Sequence, residues 1–299
     1  MVAWPVRSSH LAGVLMVATG TLCLVPDATL IRLADAGDWQ VVFWRSLFIS
    51  LSLVGVVATR HGTGTGAAYR AIGVPGVLVA GSWAAGLILF VYAITHTAVA
   101  NALVILATAP FLAALFTRLL IGEPIRARTW LAMAAVAGGV TLTFASALRL
   151  GGLDGNLAAL GVAAALGLNL TLIRRAGSVD MLPAMSLAGF IAAGAVLPVA
   201  WPVGVGAVDV VVIAAMGLIL VPAAFTLFAL GTRYLTSPEV TLLMTLETVL
   251  GPLLAWAVIG EPPPSLALLG GAIVVAALVV HSLAAIAPAP TPRCANIRL

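Results

Sequence analysis

The sequence predicts an all-α integral membrane protein in which ten transmembrane helices form two inverted five-helix repeats. Three observations predict it. First, 62% of the 299 residues are apolar, only 8% are Asp, Glu, Lys or Arg, and the mean hydropathy is +1.18. A soluble domain carries about 45–50% apolar and about 25% charged residues, so water cannot meet this whole surface. A soluble enzyme, a disordered chain and a nucleic-acid module are excluded. Second, the apolar mass divides into ten runs, each close to the ~20 residues that cross ~30 Å of hydrocarbon as a helix with its backbone polar groups satisfied internally. Third, Ile121-Gly122-Glu123-Pro124 closes the fourth run and Ile259-Gly260-Glu261-Pro262 closes the ninth, an offset of 138 residues. Upstream, Pro110 to Leu115 aligns at that offset with Thr248 to Leu253. Gly-Glu-Pro is a common way to stop a helix. Its place at the same helix end in each half nevertheless favours duplication, and five spans per half, an odd number, put the halves in opposite orientation.

The elements follow in order. Segment 11–33 comes first; Arg7 precedes it as in a signal peptide, but the run outlasts an h-region and no small-residue cleavage site follows, so it is expected to be retained. Segment 39–58 opens with Trp39 at the interface and carries Phe43-Trp44-Arg45. Between it and the third segment, Gly62-Thr63-Gly64-Thr65-Gly66 reads as a flexible loop, since a phosphate-binding loop would need a lysine. Segment 73–95 holds Trp83, Gly86 and Phe90; segment 98–120 holds Asn101, Thr108 and Pro110 and stops at Gly122; segment 129–147 starts at the belt residue Trp130 and holds Gly138-Gly139. Gly151-Gly152 leads into segment 156–173, which ends before Arg174-Arg175. Segments 182–204 and 208–231 carry Trp201 and Pro222, and segments 239–259 and 265–287 carry Pro252 and Gly270-Gly271. Residues 1–147 and 148–287 are thus the expected halves, and the Pro-rich stretch 288–299 is an expected disordered cytoplasmic tail.

Charge orients the chain. All fourteen basic residues are arginine. With the N-terminus cytoplasmic, eleven of them (Arg7, Arg60, Arg70, Arg118, Arg126, Arg128, Arg174, Arg175, Arg233, Arg293 and Arg298) fall inside, Arg32 and Arg149 outside, and Arg45 within a span. This is the positive-inside rule over ten crossings, and both termini are expected in the cytoplasm. The pI of about 9.8 is then a topological bias and needs no nucleic acid. Without lysine neither a Walker loop nor a Schiff-base site is available, and the two cysteines, Cys23 and Cys294, form no metal spacing.

Ten spans, Phe43-Trp44-Arg45 near the start of the second, Pro110 thirteen residues before Glu123, and Leu246-Glu247 leading a run to Gly260-Glu261 resemble the drug/metabolite transporter superfamily and, more narrowly, its EamA family, over nearly the whole chain. Overall the chain is most similar to the YddG-type aromatic amino acid exporters. Two positions depart from the pattern: Thr248 stands where the ninth-helix proline is usual, with Pro252 a turn later, and the first helix lacks the Trp-Gly pair near Gly20. The resemblance implies a central cavity between two five-helix repeats, from which small metabolites are exported by alternating access across a bacterial inner membrane. Amino acids, aromatic or otherwise neutral, are the expected substrates, with drugs or other metabolites as the alternative. No cofactor or metal is expected, and the expected partners are the substrate and membrane lipids; a monomer can satisfy this. An integral-membrane lipid-modifying enzyme is the reading from another class. It lacks support, because His10, His61, His96 and His281 are scattered and no His/Asp/Glu cluster emerges.

Intramembrane charge is costly and tends to face a partner or a wet cavity. Asp27, which follows Pro26, and Glu247 each have two readings. Either is a substrate-amine contact or proton carrier; otherwise Asp27 satisfies the backbone freed by Pro26 near the outer interface and Glu247 pairs with Arg45. Arg45, near the start of its span, reads as a snorkelling anchor or structural ion pair before it reads as a substrate-carboxylate contact. Thr241, Thr245 and Thr248 recur at i, i+4 and i+7, and Asn101 and Thr108 at i, i+7, so each set shares a helical face that either borders the cavity or glues helices together. Asn169 joins them. Trp83 and Phe90 share a face, with Gly86 opening room beside it, as either a cavity wall or packing. Pro110, Pro222 and Pro252 are candidate hinges.

Overall fold

The computed structural model describes the backbone of residues 6–125, 127–150, 152–177, 179–231, 234–235 and 237–286, and within these the side chains of all but 6–9, 128, 146–150, 229, 237–238, 241 and 284–286. The expected tail 288–299 and the side chain of Thr241 therefore lie outside the described residues. Every regular element described is helical: α1 (Val6–Leu33), α2 (Asp38–His61), α3 (Thr65–Ala71), α4 (Gly73–His96), α5 (Val99–Leu106), α6 (Ala109–Ile121), α7 (Ala127–Leu150), α8 (Leu153–Ala176), α9 (Leu182–Ala200), α10 (Ala207–Ala214), α11 (Val221–Gly231), α12 (Ser237–Ile259) and α13 (Ser265–Ile286). Among the described residues nine stretches are long and apolar enough to cross a membrane, including Val99–Ile121 across α5 and α6 and Ala207–Phe228 across α10 and most of α11. A shorter apolar helix, Thr129–Ala145, stands where the fifth segment was expected.

Proline explains where expected helices break. Pro110 has no N–H to give the Leu106 carbonyl, so α5 stops at Leu106 and α6 restarts with Pro110 in its first turn, where no donor is needed. Thr108 closes the intervening turn, its N–H and its hydroxyl both donating to the Ile105 carbonyl, at 3.0 and 2.7 Å. Before Pro222 the chain widens into a π-helical turn, Ala215–Leu220. The Leu218 carbonyl, which Pro222 cannot serve, accepts from the Ser52 hydroxyl at 3.2 Å. Pro252, by contrast, sits inside α12 without interrupting it. The segment expected over 182–204 ends at Ala200, because Trp201 is extended ahead of Pro202. The expected loop over Gly62 to Gly66 is instead a 3₁₀ turn, Gly62–Gly64, running into α3. The Thr65 hydroxyl donates to the Gly62 carbonyl at 2.7 Å and closes that turn, and the alanines beyond it favour helix.

Helices α2 and α9, α4 and α8, and α7 and α13 pack as pairs; α1 lies against α11 and α12, and α6 against α8. Lipid tails are as apolar as leucine, so close van der Waals fit rather than water exclusion holds such pairs together. Gly139 and Gly270 show the fit, since a Cβ on Gly139 would come within 2.7 Å of the Gly270 carbonyl oxygen, and one on Gly270 would meet the Gly139 oxygen in turn. The start of α8 abuts the end of α4, where a Cβ on Gly155 would lie 2.7 Å from both the His96 oxygen and the Thr97 nitrogen. Arg32, in the last turn of α1, contacts the same Thr97 and also Glu261 just past α12. These contacts define one end of the bundle, the Arg32 end. Helix α8 then carries Arg174 to the opposite end, about 30 Å away at 1.5 Å per residue.

Candidate functional site

Between these ends lies a cavity of about 330 Å³, walled by α1, α2, α4, α5, α6, α8, α11, α12 and α13. Of the residues singled out from sequence, Asp27, Arg45, Trp83, Phe90, Pro110, Asn169, Thr245, Glu247 and Thr248 all line it. Most of the remaining wall is aliphatic or aromatic, with Leu87, Leu103, Leu106, Phe225 and Met244 among its members. Asn101 and Thr108 lie elsewhere. Asn101 donates to the Thr97 hydroxyl at 3.3 Å in a buried cluster that also holds Asn156, and Thr108 is spent on its turn. Their shared face presumed one continuous helix, and the break at Pro110 removes it. Pro222 and Pro252 also fall outside the wall.

Charge is arranged around one buried pair. The Arg45 guanidinium donates to both carboxylate oxygens of Asp27, Nη2 to Oδ2 at 2.6 Å and Nε to Oδ1 at 3.3 Å, and each side chain is only 4% exposed. The Arg45 guanidinium carbon also lies 5.4 Å from the centre of the Phe90 ring. Arg45 is therefore buried instead of snorkelling, and its partner is Asp27 instead of Glu247. Asp27 is buried and held by an ion pair, not by backbone groups freed at Pro26. A pair this enclosed is retained only when the partners satisfy one another, since either charge alone would be expensive. Arg45 Nη1 and Trp83 Nε1 are buried without a hydrogen-bond partner among the described residues. No hydrogen bond or ion pair joins Glu247 to another described residue.

The other side chains are fixed by packing. Trp83 meets Phe225 edge-on, with ring centroids 4.9 Å apart. The Asn169 amide donates to the Val79 carbonyl at 2.9 Å and to the Ser82 hydroxyl at 3.0 Å, so Asn169 ties α8 to α4 as well as facing the cavity. Sequence reasoning missed Leu87, Leu106, Phe225 and Met244, although the repeat carried the signal. At the offset of 138 residues Trp83 and Leu87 correspond to Val221 and Phe225, while Leu106, Ala107, Ala109 and Pro110 correspond to Met244, Thr245, Glu247 and Thr248; every one of these residues lines the cavity.

The two ends differ in how they are tied. At the Arg32 end, Arg32 donates to the Thr97 carbonyl at 2.7 Å and the Thr95 carbonyl at 3.4 Å, and sits 3.5 Å from Glu261. The other oxygen of Glu261 accepts the Val99 N–H at 2.9 Å. Nearby, the Asp35 N–H donates to Asp209 at 2.9 Å, and Tyr92 donates to Asp154 at 3.1 Å. At the opposite end Arg174 meets Glu123 at 2.9 and 3.0 Å, His10 meets Glu239 at 2.9 Å and His61 meets Asp180 at 3.2 Å, contacts that are half-buried or exposed.

Membrane-length helices close around an internal cavity that holds its own buried charges, an arrangement that suits a membrane transporter. The model of the EamA-like transporter family matches residues 9–145 and again residues 153–283, and the chain belongs to this family, within the drug/metabolite transporter superfamily. A solved crystal structure is similar with a TM-score of 0.58 and 21% sequence identity, covering 94% of this chain and 97% of that one, which speaks for the fold. No curated protein matches the chain.

Proposed function

We propose that this chain is a secondary transporter that exports small metabolites, chief among them amino acids, aromatic or otherwise neutral, across a bacterial inner membrane by alternating access, both termini facing the cytoplasm. The halves 1–147 and 148–287 move against each other around the cavity. Helix packing supports two related halves, since exchanging each half's helices for their counterparts maps the α1–α11 contact onto α8–α4 and the α1–α12 contact onto the one between α8 and α6. The double family match supports the same division.

The single observation that carries the substrate reading is the chemistry of the corresponding wall positions. Ala107, Ala109 and Pro110 of the first half correspond to Thr245, Glu247 and Thr248 of the second, so at these three wall positions the first half is apolar and the second polar, with an acid that pairs with no described residue. Glu247 receives the substrate's ammonium group, the threonines and Asn169 its polar neighbours, and Trp83, Phe90 and Phe225 its apolar body, because apolar burial and ring contacts reward such a side chain. Pro110 and Pro222, where the helix ladder is already interrupted, absorb the motion. Efflux of radiolabelled amino acids from proteoliposomes tests this. Reconstituted protein accelerates efflux of neutral amino acids, and Glu247→Gln slows it by at least tenfold; no acceleration across a broad panel of amino acids overturns the reading. The mostly apolar wall favours drug-like apolar compounds as the second reading, and acceleration confined to these in the same panel decides for it.

A further inference from the structure

The repeated Ile-Gly-Glu-Pro sequence is not used by the cavity, yet both of its glutamates are engaged. Glu261 follows α12 and pairs with Arg32 in the last turn of α1; Glu123 follows α6 and pairs with Arg174 in the last turn of α8. The two pairs are equivalent under exchange of the halves, since each joins the fourth span of one half to the first span of the other. They lie at opposite ends of the bundle.

Their states differ. The Arg32–Glu261 pair encloses the corner between α4 and α5: the guanidinium donates to the carbonyls of Thr95 and Thr97, which α4 leaves unsatisfied, while the carboxylate accepts the Val99 N–H at the start of α5. One ion pair therefore fixes the ends of α1, α4 and α12 and the start of α5, with its side chains about three-quarters buried (27% and 26% exposed). The Arg174–Glu123 pair is open by comparison; its side chains are 61% and 46% exposed and, among the described residues, bond only each other. The same charge pair is thus tight at one end and slack at the other in a single conformation.

We propose that the two Ile-Gly-Glu-Pro glutamates are reciprocal latches. Glu261 with Arg32 holds the Arg32 end shut in this conformation, and Glu123 with Arg174 tightens in its place when that end opens. The proposal rests on the alternating-access reading for its purpose, but its test needs no substrate.

The test uses the full chain with Cys23→Ser and Cys294→Ser, a reporter cysteine in the cavity at Thr248→Cys, and a membrane-impermeant maleimide applied to either side of oriented vesicles. The parent labels slowly from the Arg32 side. Glu261→Gln, whose side-chain oxygen can still accept from Val99 but carries no charge for Arg32, raises that rate about tenfold, and Glu123→Gln lowers it. Arg32→Lys, which keeps the charge and can still donate to the Thr95 and Thr97 carbonyls, keeps the rate near that of the parent, whereas Arg32→Gln, which carries no charge for Glu261, raises it as Glu261→Gln does. An unchanged rate in Glu261→Gln, or a shift of Glu261→Gln and Glu123→Gln in the same direction, overturns the latches. Opposed shifts, with no transport of any compound by the chain that keeps Thr248, would sink the exporter reading alone, whereas transport by that chain with unmoved labelling of the reporter would sink the latches alone.

Discussion

The Arg32 end and the Arg174 end of this bundle are built from the same sequence device and hold their helices differently. At the Arg32 end Arg32, Glu261 and Asp209 are half-buried or buried and hydrogen-bond backbone atoms of neighbouring segments, beside an exposed side-chain contact, Tyr92 to Asp154. At the Arg174 end the ion pairs join side chain to side chain in reach of solvent. Where a pair's bonds go matters more than that a pair exists: a guanidinium that satisfies helix-terminal carbonyls cannot be removed without orphaning them, while an exposed pair loses only its own attraction.

The largest loss of stability is expected just inside the tied end, at the Asp27–Arg45 pair. Asp27→Asn leaves Arg45 charged and buried, and is expected to cost about 3–5 kcal/mol in thermal unfolding of the purified protein. The double change Asp27→Asn with Arg45→Gln recovers a substantial part; a double as unstable as the sum of the singles would contradict the pairing. Next comes Gly155→Ala, whose methyl would be driven into the backbone at His96 and Thr97, expected to cost about 1–3 kcal/mol. Arg32→Ala follows at about 1–2 kcal/mol, accompanied by faster amide hydrogen exchange at residues 95–99. At the Arg174 end, Gly122→Ala has open space for its methyl but a backbone φ of 84°, and is expected to cost about 1 kcal/mol from conformation alone. Smallest is Arg174→Ala, at about 0.5 kcal/mol or less and vanishing in 1 M salt, where exposed charges are screened. Should Arg174→Ala destabilise as much as Arg32→Ala, the two ends are not different in the way their geometry states.

Hydropathy made the helices legible, because each run long enough to cross hydrocarbon has to satisfy its backbone within itself. Asp27, Arg45 and Glu247 were legible as the costly residues, but not their partners: Asp27 and Arg45 are eighteen residues apart on different helices, and only packing selects one acid over the other. The face shared by Asn101 and Thr108 was misread because helical periodicity cannot be carried across a proline that stops the helix. Phe225 and Met244 were hidden for a different reason. Neither is unusual in an apolar run, and only the offset linking them to Leu87 and Leu106 distinguishes them.

That offset has a consequence for how the wall can be studied. Each paired position carries an internal reference elsewhere in the same chain. Some pairs agree in character, as Leu106 and Met244 do, and others differ, as Ala109 and Glu247 do. A substitution that gives one member its counterpart's identity, such as Glu247→Ala, therefore makes the wall more alike across the two halves, and a series of such changes would even out the cavity one pair at a time.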